Sequence, residues 1–163
     1  MTPPRLVIMG VSGCGKSTVG QRIGVPFLEG DSLHPPRNVA LMAAGTPLTD
    51  EDRAGWLDTI ATRLSSLGPE EGLVVSCSAL KRAYRDRLRL ATPDLRFVHL
   101  HGDRALLAER LQARRHDYMP PTLLDSQLRT LEIPTSDEAV LTLDIAQPLE
   151  QLVAHIEHHL QPN

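Results

Sequence analysis

Leu6-Val7-Ile8-Met9-Gly10-Val11-Ser12-Gly13-Cys14-Gly15-Lys16-Ser17 decides how this chain reads, because an apolar run feeds straight into G-x-x-x-x-G-K-S. The apolar residues suit a buried strand. The glycines at 10, 13 and 15 let the backbone turn tightly, so that its N–H groups can point at phosphate oxygens. Lys16 is placed to neutralise β and γ phosphates, and the Ser17 hydroxyl to hold Mg²⁺. A helix starting near Lys16 aims the positive end of its dipole at the same anion. The stretch therefore reads as a phosphate-binding loop for a nucleoside triphosphate.

Working outward, 163 residues fit one domain with a substantial core and no need of disulfides or a structural metal. A composition of 41% hydrophobic and 23% charged residues is that of an ordinary globular protein. A net charge of −3 and only 3% aromatics argue against nucleic-acid binding by charge or by stacking. The short apolar run before the loop is too brief for a signal peptide or a membrane span, so a cytoplasmic location is expected. Cys14 and Cys77 sit in unrelated contexts and read as free thiols in a reducing compartment.

Four more apolar segments, 25–28, 73–77, 97–100 and 140–145, read as strands separated by segments of helical spacing. That alternation predicts an α/β domain with a mainly parallel sheet. Leu57, Ile60, Ala61 and Leu64 follow one helix face, as do Leu149, Leu152, Val153, Ile156 and Leu160. Pro148 is expected in the first turn of the last helix, and Gly68-Pro69 at the end of the helix containing Trp56. Ligands of parallel α/β sheets gather at the carboxyl ends of the strands, which selects 10–17, 30–34, 76–82 and 101–103 as one rim.

Three clusters on or near that rim carry chemistry. In Glu29-Gly30-Asp31-Ser32-Leu33-His34, Asp31 is the candidate general base that would accept an alcohol proton during phosphoryl transfer, with helix capping as its plainer role. Ser76 to Arg87 combines hydroxyls with Lys81, Arg82 and Arg85, suited to a polar anionic substrate, while Arg87 and Arg89 read as a solvated basic face. Arg110, Arg114, Arg115 and His116 precede the Met119-Pro120-Pro121 break, and a basic helix end beside a hinge could close as a lid over the phosphates. His155, His158 and His159 read as helix-end chemistry rather than metal ligands.

The order Gly30-Asp31-Ser32-Leu33-His34-Pro35, then Pro47-Leu48-Thr49-Asp50-Glu51-Asp52-Arg53, Cys77-Ser78-Ala79-Leu80-Lys81-Arg82 and Leu123-Leu124-Asp125-Ser126-Gln127 resembles the gluconokinase family over nearly the whole chain. The resemblance implies the P-loop kinase fold with a five-stranded parallel sheet, a mobile lid at about 110–122, and commonly a homodimer. It implies transfer of the ATP γ-phosphoryl group to the 6-hydroxyl of D-gluconate. Gly10, Ser12, Gly13, Cys14, Gly15, Lys16, Ser17 and Thr18 then bind nucleotide, joined by Arg110 and Arg114 from the lid. Lys16, Asp31 and Arg114 are the expected catalytic residues. Asp31, His34, Arg53, Ser78, Lys81, Arg82 and Arg85 form the expected substrate side, with Arg53 or Arg82 favoured over Lys81 for the gluconate carboxylate, because a guanidinium engages it bidentately. Residues 17–24 hold only about two helical turns, roughly 12 Å, less than the resemblance implies. A related kinase acting on shikimate, adenylyl sulfate or a nucleotide, and an ATP-binding regulatory module, are the competing readings.

Overall fold

The computed structural model describes residues 3–113 and 121–161. Its frame is a five-stranded, wholly parallel sheet in the order β2-β3-β1-β4-β5, built from β1 (Arg5–Met9), β2 (Phe27–Glu29), β3 (Leu73–Ser76), β4 (Arg96–His101) and β5 (Leu141–Asp144). Register is set by pairs such as Val7 with Val75 and with Phe97 on the two sides of β1. The central strands are buried along most of their length and mostly apolar, because helices cover both faces, as parallel sheets require. Leu6, Ile8, Val98 and Leu100 face one core with Leu152, Val153 and Ile156 of α7 (Leu149–Leu160). Val7, Met9, Val75 and Phe97 face the other, with Trp56, Leu57, Ile60 and Leu64 of α3 (Asp50–Ser65) and Tyr84 and Leu88 of α4 (Arg82–Ala91). The remaining helices are α1 (Lys16–Gly20), α2 (Pro36–Ala43), α5 (Arg104–Ala113) and α6 (Pro121–Thr130).

All five strands expected from sequence form, with local differences. Pairing of β2 starts past Pro26, whose carbonyl accepts from Val74 N at 2.8 Å but which has no N–H of its own to give, and it runs on through Glu29. The helix containing Trp56 stops at Ser65, before Gly68, and Pro148 caps α7 rather than entering it. At the other end of α3, Thr49 and Asp52 form a reciprocal capping box, and Asp50, Glu51 and Asp52 complement the dipole. The crossover from the phosphate loop is as short as the sequence implies. Helix α1 has five residues, and Gly20 lies so close to the Phe27 ring that an added Cβ would sit 2.6 Å from it. Among the described residues, no helix is long and apolar enough to cross a membrane.

Candidate active site

The phosphate loop bridges β1 and α1. Gly13 and Gly15 adopt φ of 88° and 92°, left-handed values that few other residues tolerate, and so let the loop turn tightly. The Lys16 ammonium donates to the carbonyls of Gly10 at 2.9 Å and Val11 at 3.1 Å, which holds it over the loop. Cys14 is buried in the loop, and Thr18 is exposed on α1. From α6, Gln127 Oε1 accepts the Ser12 N–H at 2.7 Å and fastens the loop to the opposite wall.

Glu29, the last residue of β2, organises a cluster of oxygens beside the loop. Its carboxylate accepts from the Ser17 hydroxyl and, at 2.6 Å, from the Ser76 hydroxyl at the end of β3. Ser76 Oγ in turn accepts Gly30 N–H at 3.2 Å. The sequence places Glu29 in this cluster but assigns its chemistry to Asp31, and the rim drawn from residue 30 starts one position too late to take in Glu29.

Beyond Gly30 the chain makes a short 3₁₀ turn, Gly30–Leu33, pinned by Trp56 Nε1 donating to Gly30 O at 2.8 Å. This turn sets Asp31 at the cleft, its side chain 63% exposed and its carboxylate 3.8 Å from His34 Nε2. His34 stacks on Trp56 with ring centroids 4.1 Å apart. Asn38 Nδ2 meets His34 Nδ1 at 3.1 Å and also donates to Asp52 O at 2.8 Å. An amide nitrogen only donates, so Nδ1 is the acceptor and Nε2 carries the hydrogen facing Asp31. Burial lowers the pKa of His34, Arg53 lowers it further, and Asp31 opposes them, which keeps the ring neutral at pH 7.

These elements form a cleft lined by Ser12, Lys16, Asp31, His34, Arg53 and Ser78, with Gln127 and Ser126 from α6 and Trp56, Met42, Leu48, Leu80 and Leu123 as its apolar walls. The predicted cations separate. Arg53 reaches the cleft with its Nη1 on Tyr84 OH at 2.9 Å. Lys81 is paired with Asp50 at 2.9 Å. Arg82 turns to Asp137 at 2.8 Å and Asp86 at 3.5 Å. Arg85 is fully buried and does not line the cleft. Its guanidinium pairs with Glu138 at 2.7 and 3.0 Å and donates to the carbonyls of Ala79, Leu80 and Glu132. Arg89 also leaves the expected solvated face, joining Glu138 at 3.1 Å and lying over the Phe97 ring. Arg110 on α5 donates to Ile145 O at 2.8 Å, beside the loop that follows β5. Residues 101–103 do not line the cleft. Arg114, Arg115 and His116 lie outside the described residues.

The arrangement joins a phosphate-binding loop, a carboxylate and a guanidinium around one polar cleft, which suits phosphoryl transfer to a hydroxylated anion. A family model described as shikimate kinase matches residues 12–156. The chain is 45% identical to the gluconokinase of Gluconobacter oxydans (strain 621H), over 96% of this chain and 93% of that protein. It is 43% identical to the thermoresistant gluconokinase of Escherichia coli (strain K12), over 91% and 88% respectively. The crystal structure of a gluconokinase from Sinorhizobium meliloti 1021 superposes with a TM-score of 0.85 at 48% identity, covering 98% of this chain and 96% of that one.

Proposed function

The chain belongs to the gluconokinases, within the wider shikimate kinase family, and on that premise we propose that it phosphorylates the 6-hydroxyl of D-gluconate with ATP, releasing 6-phospho-D-gluconate and ADP. One observation carries this reading: Lys16, Asp31 and Arg53 line the same cleft. A sugar acid needs three things of its kinase, namely a cradle for the donor phosphates, an acceptor for the alcohol proton, and a cation for the carboxylate.

In this reading the loop amides and Lys16 bind the phosphates of ATP, with Gly10, Ser12, Gly13, Cys14, Gly15, Ser17 and Thr18 completing the nucleotide side. Mg²⁺, when bound, supplies neutralisation of charge on the β- and γ-phosphates. Ser17 would hold it, with Glu29 behind it, and their hard oxygen donors fit such an ion. Asp31 accepts the O6 proton as that oxygen attacks the γ-phosphorus, and the bond to the ADP oxygen breaks. His34 offers Nε2–H, and Ser78 its hydroxyl, to the substrate's hydroxyls. Arg53 takes the carboxylate, because Lys81 and Arg82 already face carboxylates of the protein. Arg110 and Arg114 belong to a lid at about 110–122 that adds positive charge and excludes water during transfer.

The family resemblance also carries a homodimer into this reading, and the two free, buried cysteines suit a reducing compartment such as the cytoplasm. Light scattering on the purified protein tests the dimer. The activity is tested by ADP release from Mg²⁺-ATP with D-gluconate, shikimate, adenylyl sulfate or no acceptor. Release that depends on gluconate and disappears in Lys16→Ala supports it, whereas release that follows another acceptor removes the substrate assignment.

A further inference from the structure

The cations around the cleft differ in what opposes their charge. Lys81 faces Asp50, Arg82 faces Asp137, and buried Arg85 faces Glu138. Arg53 makes no carboxylate pair among the described residues, and its Nη1 rests on the phenolic oxygen of Tyr84 at 2.9 Å. The Tyr84 hydroxyl donates its one proton to Asp50, so toward Arg53 it can only accept. Asp50 is in turn held by Lys81 at 2.9 Å. Tyr84 itself is nearly buried, with the Arg53 guanidinium carbon 5.5 Å and the Lys81 nitrogen 5.8 Å from its ring centroid.

A carboxylate in place of that phenol would orient the guanidinium just as well but would spend its charge. A phenol is a neutral acceptor. It fixes one N–H of Arg53 and leaves the rest of the planar fork, with no carboxylate paired to it among the described residues, for a ligand. We propose that Tyr84, oriented by the Asp50–Lys81 pair, is a positioning residue that holds Arg53 as an un-neutralised clamp for the substrate carboxylate and thereby sets the affinity for a sugar acid. The inference rests on the functional reading above and assigns Tyr84, Asp50 and Lys81 a role in it that composition and motif spacing do not show. It also gives Lys81 a task other than touching substrate: it balances Asp50, so that Asp50 does not compete for Arg53.

The test is steady-state kinetics on the full-length protein with Mg²⁺-ATP and D-gluconate, comparing wild type, Tyr84→Phe, Arg53→Met and the double variant. Losing a hydrogen bond to a charged group predicts that Tyr84→Phe raises the gluconate KM about tenfold, with kcat and the ATP KM within about twofold of wild type. In the Arg53→Met background, Tyr84→Phe should add nothing, because it acts through Arg53. A Tyr84→Phe gluconate KM equal to that of wild type, a matching rise in the ATP KM, or multiplicative losses in the double variant would each overturn the proposal. Wild-type protein that turns over no gluconate overturns the functional reading and this inference with it. The buried ring survives in Tyr84→Phe. If its melting temperature nonetheless falls by more than about 3 °C, the charge-balanced Asp50→Ala/Lys81→Met variant replaces it, at partly exposed side chains. That variant removes the acceptor that orients the phenol, and it should raise the gluconate KM about threefold; an unchanged KM overturns the proposal.

Discussion

The Ser17 hydroxyl donates a hydrogen bond to the Glu29 carboxylate, so the first turn of α1 and the end of β2 meet in one oxygen cluster, which Ser76 extends to β3. Three elements of the sheet's carboxyl edge are thereby held in register beside the phosphate loop, although α1 itself is only five residues long.

Glu29→Gln removes the charge and keeps one acceptor oxygen, where the carboxylate offers one to each of Ser17 and Ser76. Groups that orient a metal's ligands from behind are typically worth about ten- to a hundredfold. The variant should therefore need about tenfold more Mg²⁺ for half-maximal rate, with the gluconate KM unchanged. Titrating Mg²⁺ at saturating ATP and gluconate checks this, and an unaltered Mg²⁺ requirement refutes it.

Asp31→Asn preserves shape and removes the proton acceptor. General-base contributions of about 10²–10⁴-fold set the expected fall in kcat, with the ATP KM little changed. Near-normal turnover in this variant would remove Asp31 as the base while leaving the kinase assignment standing.

The buried Arg85–Glu138 pair predicts an asymmetry. Breaking one side strands a charge, which typically costs about 3–5 kcal/mol, whereas replacing both partners with apolar groups is often close to neutral. Glu138→Leu, which leaves the buried Arg85 without a carboxylate, should thus be strongly destabilised in urea unfolding, and Arg85→Met/Glu138→Leu should recover much of the loss. Two equally unstable variants would mean that Arg85's bonds to the carbonyls of Ala79, Leu80 and Glu132 matter more than the pair.

His99 sets a pH dependence. It is buried on β4, its Nδ1 has no hydrogen-bond partner among the described residues, and burial is the largest cause holding its pKa down to about 4, with His101 and the cations Arg85 and Lys16 adding to it. The unfolded chain binds this proton from about pH 6.5 downward and the folded chain does not, so stability falls as pH drops through that window. Between pH 7 and pH 5 the loss from His99 is about 2 kcal/mol, and the lowered pKa of His34 acts in the same direction. His99→Phe should flatten the unfolding free energy across this range, before most carboxylates begin to titrate. A slope identical to that of wild type would assign the acid sensitivity elsewhere.

The phosphate loop and the sheet were legible because each is written in contiguous residues: a glycine pattern, and short apolar runs bounded by breakers. Strand ends were less so: β2 runs on through Glu29, and a rim drawn from residue 30 leaves out the carboxylate that accepts from Ser17. The cleft's cations could be gathered but not sorted. Helical spacing brings Lys81, Arg82 and Arg85 together, yet the acids that claim Arg82 and Arg85 come from Asp137 and Glu138, more than fifty positions away. Nothing local marks that pairing. Likewise, Gln127 reaches Ser12 from 115 positions downstream, a contact only the folded chain creates.

The central claim is that this cleft moves phosphate from ATP to the terminal hydroxyl of gluconate. Phosphorus NMR of the products formed by the wild-type protein with Mg²⁺-ATP and D-gluconate tests it most directly. The account predicts equal amounts of ADP and a phosphomonoester on carbon 6. Inorganic phosphate alone, or an ester on another hydroxyl, would contradict it.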